Sequence, residues 1–316
     1  GGGRLTVKQS MTRIVDPEGR PMSSEDTITY FTEQNSADVV IERMVGSDDP
    51  RLVEVMRSVI THLHAVVKEV EPSYEEWMTA IRFLTETGQM CDSKRQEYIL
   101  LSDVLGVSML VDAINTRRPS GATENTVLGP FHVEGAPERD QGDTISDDGK
   151  GEPLVVSGRV VDVDGKPIEG AVVDTWQTSH DGFYDSQQPG IQPEHNLRGI
   201  FRTGADGRFS YRSIKPIYYG IPDDGPVGQM LRALGRGNTR PAHLHYIVSA
   251  PSFETVTTHI FVHDDPYLEI DAVFGVKESL IREFIHRDDP AKAAEYGVEN
   301  PFWTVETDFV LTRAEA

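Results

Sequence analysis

Two histidines one residue apart, His243 and His245, stand in Arg240-Pro241-Ala242-His243-Leu244-His245-Tyr246. On an extended backbone alternate side chains share a face, so both imidazoles can reach one metal ion while Leu244 points into a core. Tyr246, Ile247 and Val248 favour a strand, and Pro241 precedes it, where a missing N–H does least harm. The other reading of the pair is two polar side chains on a half-exposed face. His62 and His64 share the spacing but lie in a helical pattern of Leu52, Met56, Val59, Leu63, Val66, Val67 and Val70. A helix sets them roughly 200° apart around its axis, where they cannot chelate.

Two long polar loops, 178–200 and 213–240, each bring a tyrosine: Tyr184 after Asp181-Gly182-Phe183, and Tyr219 before Gly220. With the histidine pair they make a set of two oxygens and two nitrogens. A phenolate suits Fe(III), a hard trivalent ion able to draw off the phenol proton far below its usual pKa of about 10. Two phenolates and one hydroxide would balance the +3 charge, which makes burial tolerable. Each tyrosine has another reading, a buried ring with its hydroxyl hydrogen-bonded, and residue type alone leaves both open. Arg240 is permanently cationic and lies beside the histidines, placed either to stabilise charge developing on a substrate or to pair at a strand start.

The elements that must position these groups differ along the chain. Residues 22–118 carry helical periodicity. Asp49-Pro50 is an N-cap with proline at the first helical position, Ser73 and Glu76 form a capping-box pair, and Gly88 marks a stop. A third helix is expected over 93–115. Loops and an acidic linker fill 119–150, and from Leu154 the period becomes two. Strands are expected at 156–163, 171–175, 209–212, 244–249, 255–262 and 304–311, with Asp164-Gly165 and Asp206-Gly207 as hairpin turns. The fold class is therefore mixed α and β. A helical N-terminal dimerisation region precedes an antiparallel β-sandwich catalytic domain over 151–316, and residues 1–21 are either a loose arm or a stretch foreign to the natural protein.

A net charge of −21 over 316 residues argues against nucleic acid and anionic membrane as partners. A single cysteine, Cys91, precludes an intrachain disulfide or a thiolate cluster and fits the cytoplasm.

Gly182-Phe183-Tyr184, Tyr219-Gly220-Ile221-Pro222 and the Arg240–His245 stretch together resemble the intradiol ring-cleavage dioxygenases. The resemblance spans about 25–312 and includes Asn125-Thr126-Val127-Leu128-Gly129-Pro130-Phe131. It implies one non-haem Fe(III) per subunit on Tyr184, Tyr219, His243 and His245. It also implies a homodimer joined through the N-terminal helices, often around a bound phospholipid. Tyr218 adjoins Tyr219, and the step to Gly220 makes Tyr219 the ligand. Tyr219 would take a substrate proton and Arg240 would face the ring.

Within that family the chain resembles the hydroxyquinol-cleaving branch. The pocket pattern implied is Leu100, Asp103, Val127, Leu128, Gly129, Pro130, Phe131, Ile221, Pro222, Arg240 and Val273. The activity implied is O2-dependent conversion of benzene-1,2,4-triol to 3-hydroxy-cis,cis-muconate, which is maleylacetate. His259 departs from many catechol-cleaving relatives, which carry glutamine there. Catechol or chlorocatechol cleavage uses the same machinery and differs only in pocket residues. A hydrolase or oxygenase using the two histidines with a carboxylate would lack tyrosinate colour, and a binding module would carry no stoichiometric metal.

Overall fold

The computed structural model describes residues 30–92 and 95–314. The arm expected over 1–21 and the first residues of the third helix lie outside them. The chain divides into two compact units, 1–81 and 82–316, with the division inside the region expected to be one helical segment.

The first unit is helical: α1 (Ser36–Glu42), α2 (Pro50–Val70) and the start of α3 (Tyr74–Gln89). Local chemistry sets the helix starts. Leu52 donates its backbone N–H to the Asp49 carboxylate at 3.0 Å, and Ser73 and Glu76 bond reciprocally at 2.8 and 3.2 Å. Gly88 does not end α3, which continues to Gln89. The stripe Leu52, Val59, Leu63, Val66 and Val70 is about half exposed in the single chain.

In the second unit the expected third helix is two, α4 (Glu97–Val104) and α5 (Val107–Asn115), parted at Gly106, whose φ of 73° no helix interior allows. Among the described residues, twelve strands follow the linker, with two α-helices and three short 3₁₀ turns among them. One sheet holds β1 (Pro153–Asp162) between β4 (Arg208–Ile214) and the collinear β11 (Phe302–Glu306) and β12 (Phe309–Leu311), with β10 (Ile285–Arg287) beside β11. Thr307 and Asp308 bulge between β11 and β12. A Cβ on Gly158 of β1 would collide with the Thr307 carbonyl there, so only glycine fits. The other sheet has the order β3 (Arg198–Arg202), β2 (Val172–Trp176), β7 (His243–Ser249), β8 (Val256–Val262), β9 (Ile281–Arg282). A two-stranded pair joins β5 (Tyr219–Gly220) to β6 (Thr239–Arg240).

The sandwich is thus present but not wholly antiparallel, since β1–β11, β1–β12 and β8–β9 run parallel. The turns at 164–165 and 206–207 form, and the first closes a short antiparallel bridge between Val161 and Pro167, but neither joins neighbouring strands of one sheet: β1 and β4 belong to one sheet, β2 and β3 to the other. Each turn passes the chain across the core. The loop 178–200 ends in a strand, β3. The loop 213–240 contains α6 (Pro226–Ala233), whose Val227 and Leu231 are buried. α7 (Pro290–Tyr296) completes the unit.

The core lies between the sheets. Leu154, Val156 and Val160 of β1 meet Leu244, Tyr246 and Val248 of β7 and Ile260 and Val262 of β8. Full burial of each such aliphatic side chain contributes about 1.5–3 kcal/mol. Thr175, Tyr211 and Tyr246 link their hydroxyls across the two sheets at 3.1 and 2.7 Å. Burial pushes the Tyr211 phenol up to about 12. Because Leu244, Tyr246 and Val248 face this core, strand alternation turns His243 and His245 to the sheet's outer face, which loops cover.

Candidate active site

The outer face of β7 and its neighbours carries a row of rings. Register places Trp176 of β2 and His259 of β8 on either side of His245, and Phe261 opposite His243. Trp176 stacks on His245 with centroids 4.6 Å apart. His243 Nδ1 lies 2.7 Å from the Pro241 carbonyl. It must donate to that oxygen, so the Nε2 lone pair faces inward, 3.0 Å from His245 Nε2.

The two tyrosines arrive from different loops. Tyr184 caps the 3₁₀ turn Asp185–Gln187 and is fully buried, its ring stacked on Phe131 at 4.5 Å. Tyr219 is fixed by the β5–β6 pair, directly opposite Arg240. Tyr184 Oη lies 2.7 Å from His245 Nε2 and 3.0 Å from Tyr219 Oη. Four donor atoms therefore converge from three places in the chain: the loop at Tyr184, β5 and β7. A bare lone pair on His243 facing a second imidazole nitrogen suits a shared cation, and the two phenol oxygens make that cation a hard one. Burial, and then the neighbouring Tyr219, hold the Tyr184 phenol well above its usual pKa, so ionising it needs a compensating positive charge. Burial pushes His243 down to about 3 and His245 well below the ordinary imidazole range, which leaves both neutral and able to coordinate.

Arg240 is buried beside this cluster. Its Nε and Nη2 donate to Asp271 at 3.1 and 3.3 Å, and its Nη1 lies 3.4 Å from His243 Nε2. Burial opposes the charge, but the Asp271 carboxylate and the Tyr219 phenol outweigh it and keep the guanidinium protonated. Burial likewise works against the Asp271 charge, and Arg240 reverses it. Asp271 also accepts from the backbone N–H groups of Val273 and Gly275, so the ion pair folds the turn that carries Val273. Phe274 in that turn has φ 59°, a left-handed backbone rare for an aromatic residue.

A cavity of about 860 Å³ adjoins the cluster. Of the expected pocket residues, Leu100, Asp103, Val127, Leu128, Gly129, Pro130, Phe131 and Pro222 line it. Gly129 lies against the His245 ring, and Phe131 lies on Tyr184, so these two join the cavity to the donor atoms. Ile221 and Val273 stand behind the wall, buried with Leu101, Val104, Val227 and Leu231. Arg240 sits among the imidazoles rather than in the lining. Asp103 is half-buried; burial raises its pKa, against a hydrogen bond from Ser108 and the charge of Arg240. Sequence reasoning missed the pairing of Asp271 with Arg240 and the acceptor role of His259, as well as Glu97. The buried Glu97 carboxylate accepts from Val227 N at 3.2 Å and caps α6. None of the three carried a local signal; the only local one was Pro226, at the start of the helix that Glu97 caps.

Three histidines, His243, His245 and His259, bring ring nitrogens within 4.8 Å of one another. His259 Nδ1 faces the Arg240 guanidinium at 3.4 Å, which disfavours a metal at that nitrogen.

A family profile described as "Dioxygenase" matches residues 127–311, and one described as "Catechol dioxygenase N terminus" matches 49–123. The chain belongs to the intradiol ring-cleavage dioxygenases. It is 61% identical over 285 residues to a hydroxyquinol 1,2-dioxygenase of Rhizobium sp. (strain MTP-10005), covering 90% of this chain and 97% of that one. It is 50% identical to a 6-chlorohydroxyquinol 1,2-dioxygenase of Cupriavidus pinatubonensis, over 82% of this chain and 94% of that one. The crystal structure of a hydroxyquinol 1,2-dioxygenase from Pseudomonas putida DLL-E4 aligns with a TM-score of 0.84 at 47% identity, covering 89% and 99%. A catechol 1,2-dioxygenase from Acinetobacter sp. ADP1 aligns at 0.78 with 30% identity, covering 91% and 95%. The family expectation from the motifs is met.

Proposed function

We propose that this chain is an Fe(III)-dependent hydroxyquinol 1,2-dioxygenase, which takes benzene-1,2,4-triol and O2 to 3-hydroxy-cis,cis-muconate. What carries the reading is the convergence of Tyr184, Tyr219, His243 and His245 beside Arg240, at a cavity whose wall offers Asp103. Those four side chains would hold one Fe(III) per subunit. When bound there, the ion supplies positive charge that favours the ionised diol and withdraws electron density from its ring.

The chain's own groups do the rest. Tyr219 is less buried than Tyr184, and its Oη accepts a substrate proton. Tyr184, locked under Phe131, stays in place. The Arg240 guanidinium stabilises negative charge that develops on the ring. Leu100, Val127, Pro130 and Phe131 present apolar walls that flank the ring and exclude water, with Ile221 and Val273 supporting them from behind. Asp103 accepts a hydrogen bond from the third hydroxyl, the group that separates the triol from catechol.

The exposed apolar stripe of α2 supports a homodimer through the helical region 22–118, with an acyl-chain lipid as a further occupant of that surface. No helix among the described residues is long and apolar enough to cross a membrane, and the single cysteine is in keeping with a cytoplasmic enzyme.

Iron content and oxygen uptake test the reading together. The expected result is one iron per chain, a wine-red phenolate-to-Fe(III) band, and ring cleavage faster with hydroxyquinol than with catechol. A colourless, iron-free protein refutes the site, and a preference for catechol assigns the chain to catechol cleavage instead.

A further inference from the structure

His259 is fully buried, and no step above uses it. Its ring packs edge-on against His245 at 4.2 Å and stacks on His243 at 4.6 Å. It lies opposite His245 in the β7–β8 ladder, so the strand register alone brings it there. Its Nδ1 is 3.4 Å from Arg240 Nη2. A guanidinium only donates, so Nδ1 must carry the lone pair.

The other partners of Arg240 give this contact its weight. Nε donates to Asp271 Oδ1, Nη2 to Asp271 Oδ2, and Nη1 points at His243 Nε2. His243 Nε2 is also a proposed iron ligand. Its lone pair cannot serve a metal and an N–H at once, so Nη1 is the donor left free for substrate. Nη2 must then be held by Asp271 and His259.

We propose that His259 is a positioning residue: its neutral imidazole holds Arg240 Nη2 and so sets the guanidinium plane with Nη1 directed at the ring being cleaved. The inference rests on the reading of Arg240 given above. A neutral acceptor suits the task better than a carboxylate. Asp271 already balances the single charge of Arg240, and a second anion would cancel the field that stabilises the substrate's negative charge. An imidazolium would set an N–H against the guanidinium, so the contact between Nδ1 and Nη2 requires the uncharged ring. Its stacking on both proposed ligand rings ties the guanidinium and the metal donors into one packed layer.

Two variants separate the acceptor from the ring. His259→Phe keeps the stacked ring and removes Nδ1; His259→Asn keeps an acceptor near the same place and removes the far side of the ring. The expected result for His259→Phe is a fall in kcat of about ten- to a hundredfold, the scale of a misplaced catalytic group. Iron content and the visible phenolate band should be retained, and KM should change much less than kcat. His259→Asn should recover most of the loss. In an Arg240→Gln background, His259→Phe should cost less than twofold more, because the group it positions is gone. Full turnover in His259→Phe overturns the proposal, as do equal losses in Phe and Asn or full additivity with Arg240→Gln. Loss of iron in His259→Phe with no recovery in Asn also overturns it, and makes His259 a support of the metal donors. A wild-type chain that binds no iron and cleaves no diol defeats the underlying reading instead, and thermal melts separate either result from misfolding.

Discussion

Replacing Asp103 by alanine tests the substrate assignment most directly. Asp103 sits on α4 three residues after Leu100, and both side chains line the cavity wall. Its carboxylate is desolvated enough to raise its pKa and lies in the field of Arg240. An acceptor held in such a wall rejects a ring that cannot satisfy it, at a cost of about 1–3 kcal/mol. Asp103 is only half-buried and Ser108 already bonds to it, so water and serine offset part of that cost. The lower part of the range, about 1–2 kcal/mol, corresponds to about a five- to thirtyfold change in relative specificity. The assay is kcat/KM for hydroxyquinol and catechol in wild type, Asp103→Ala and Asp103→Asn. Alanine should shrink the hydroxyquinol-to-catechol ratio by that factor, through faster use of catechol as well as slower use of hydroxyquinol, and asparagine should fall between. Acceptance also requires the ionised form, so the preference should weaken as pH falls through the raised pKa of Asp103. A ratio that stays within twofold of wild type in Asp103→Ala would refute the reasoning and leave Asp103 as an ordinary polar wall residue.

The two tyrosines should be unequal: Tyr184→Phe loses iron or most of the visible band, whereas Tyr219→Phe keeps iron yet turns over slowly. Metal analysis and absorption spectra of both variants decide this, and identical behaviour would undo the assignment. Acid should destabilise the iron-free protein selectively. His243, His245 and His259 have lowered folded pKa values, His243 near 3, while the unfolded chain protonates each near 6.5. The unfolded state therefore binds more protons in that window, and the stability from neutral burial is complete above about pH 6.5 and lost as pH falls toward 3. The slope is up to about 1.4 kcal/mol per pH unit per histidine; chemical denaturation that is flat with pH across this range would contradict it. Light scattering at micromolar concentration should give a dimer, and charged substitutions at Leu63 and Val66 should yield monomers; a wild-type monomer rules out the helical interface.

What the sequence determined by itself is local. Asp49-Pro50 and the Ser73–Glu76 pair set helix starts because their bonds span three residues. The alternation in β7 dictated that His243 and His245 share a face opposite Leu244. The motif residues carried the family because they recur together at fixed places in the chain, around the His243–His245 pair. Tertiary structure decided whatever depends on distant partners. Strand identity along 302–311 says nothing of direction, and only pairing with β1 makes it parallel. The segment 226–233 looks too polar for a core helix until Glu97, 130 residues earlier, caps it and Leu101 and Val273 cover Val227. The turns at 164–165 and 206–207 are legible as turns, but the side of the core on which the next strand lands depends on sheet packing. For the same reason His259 reads as an isolated histidine in the chain. It becomes a partner of Arg240 only when β7 and β8 align, because a long-range register, not spacing, brings the two within reach.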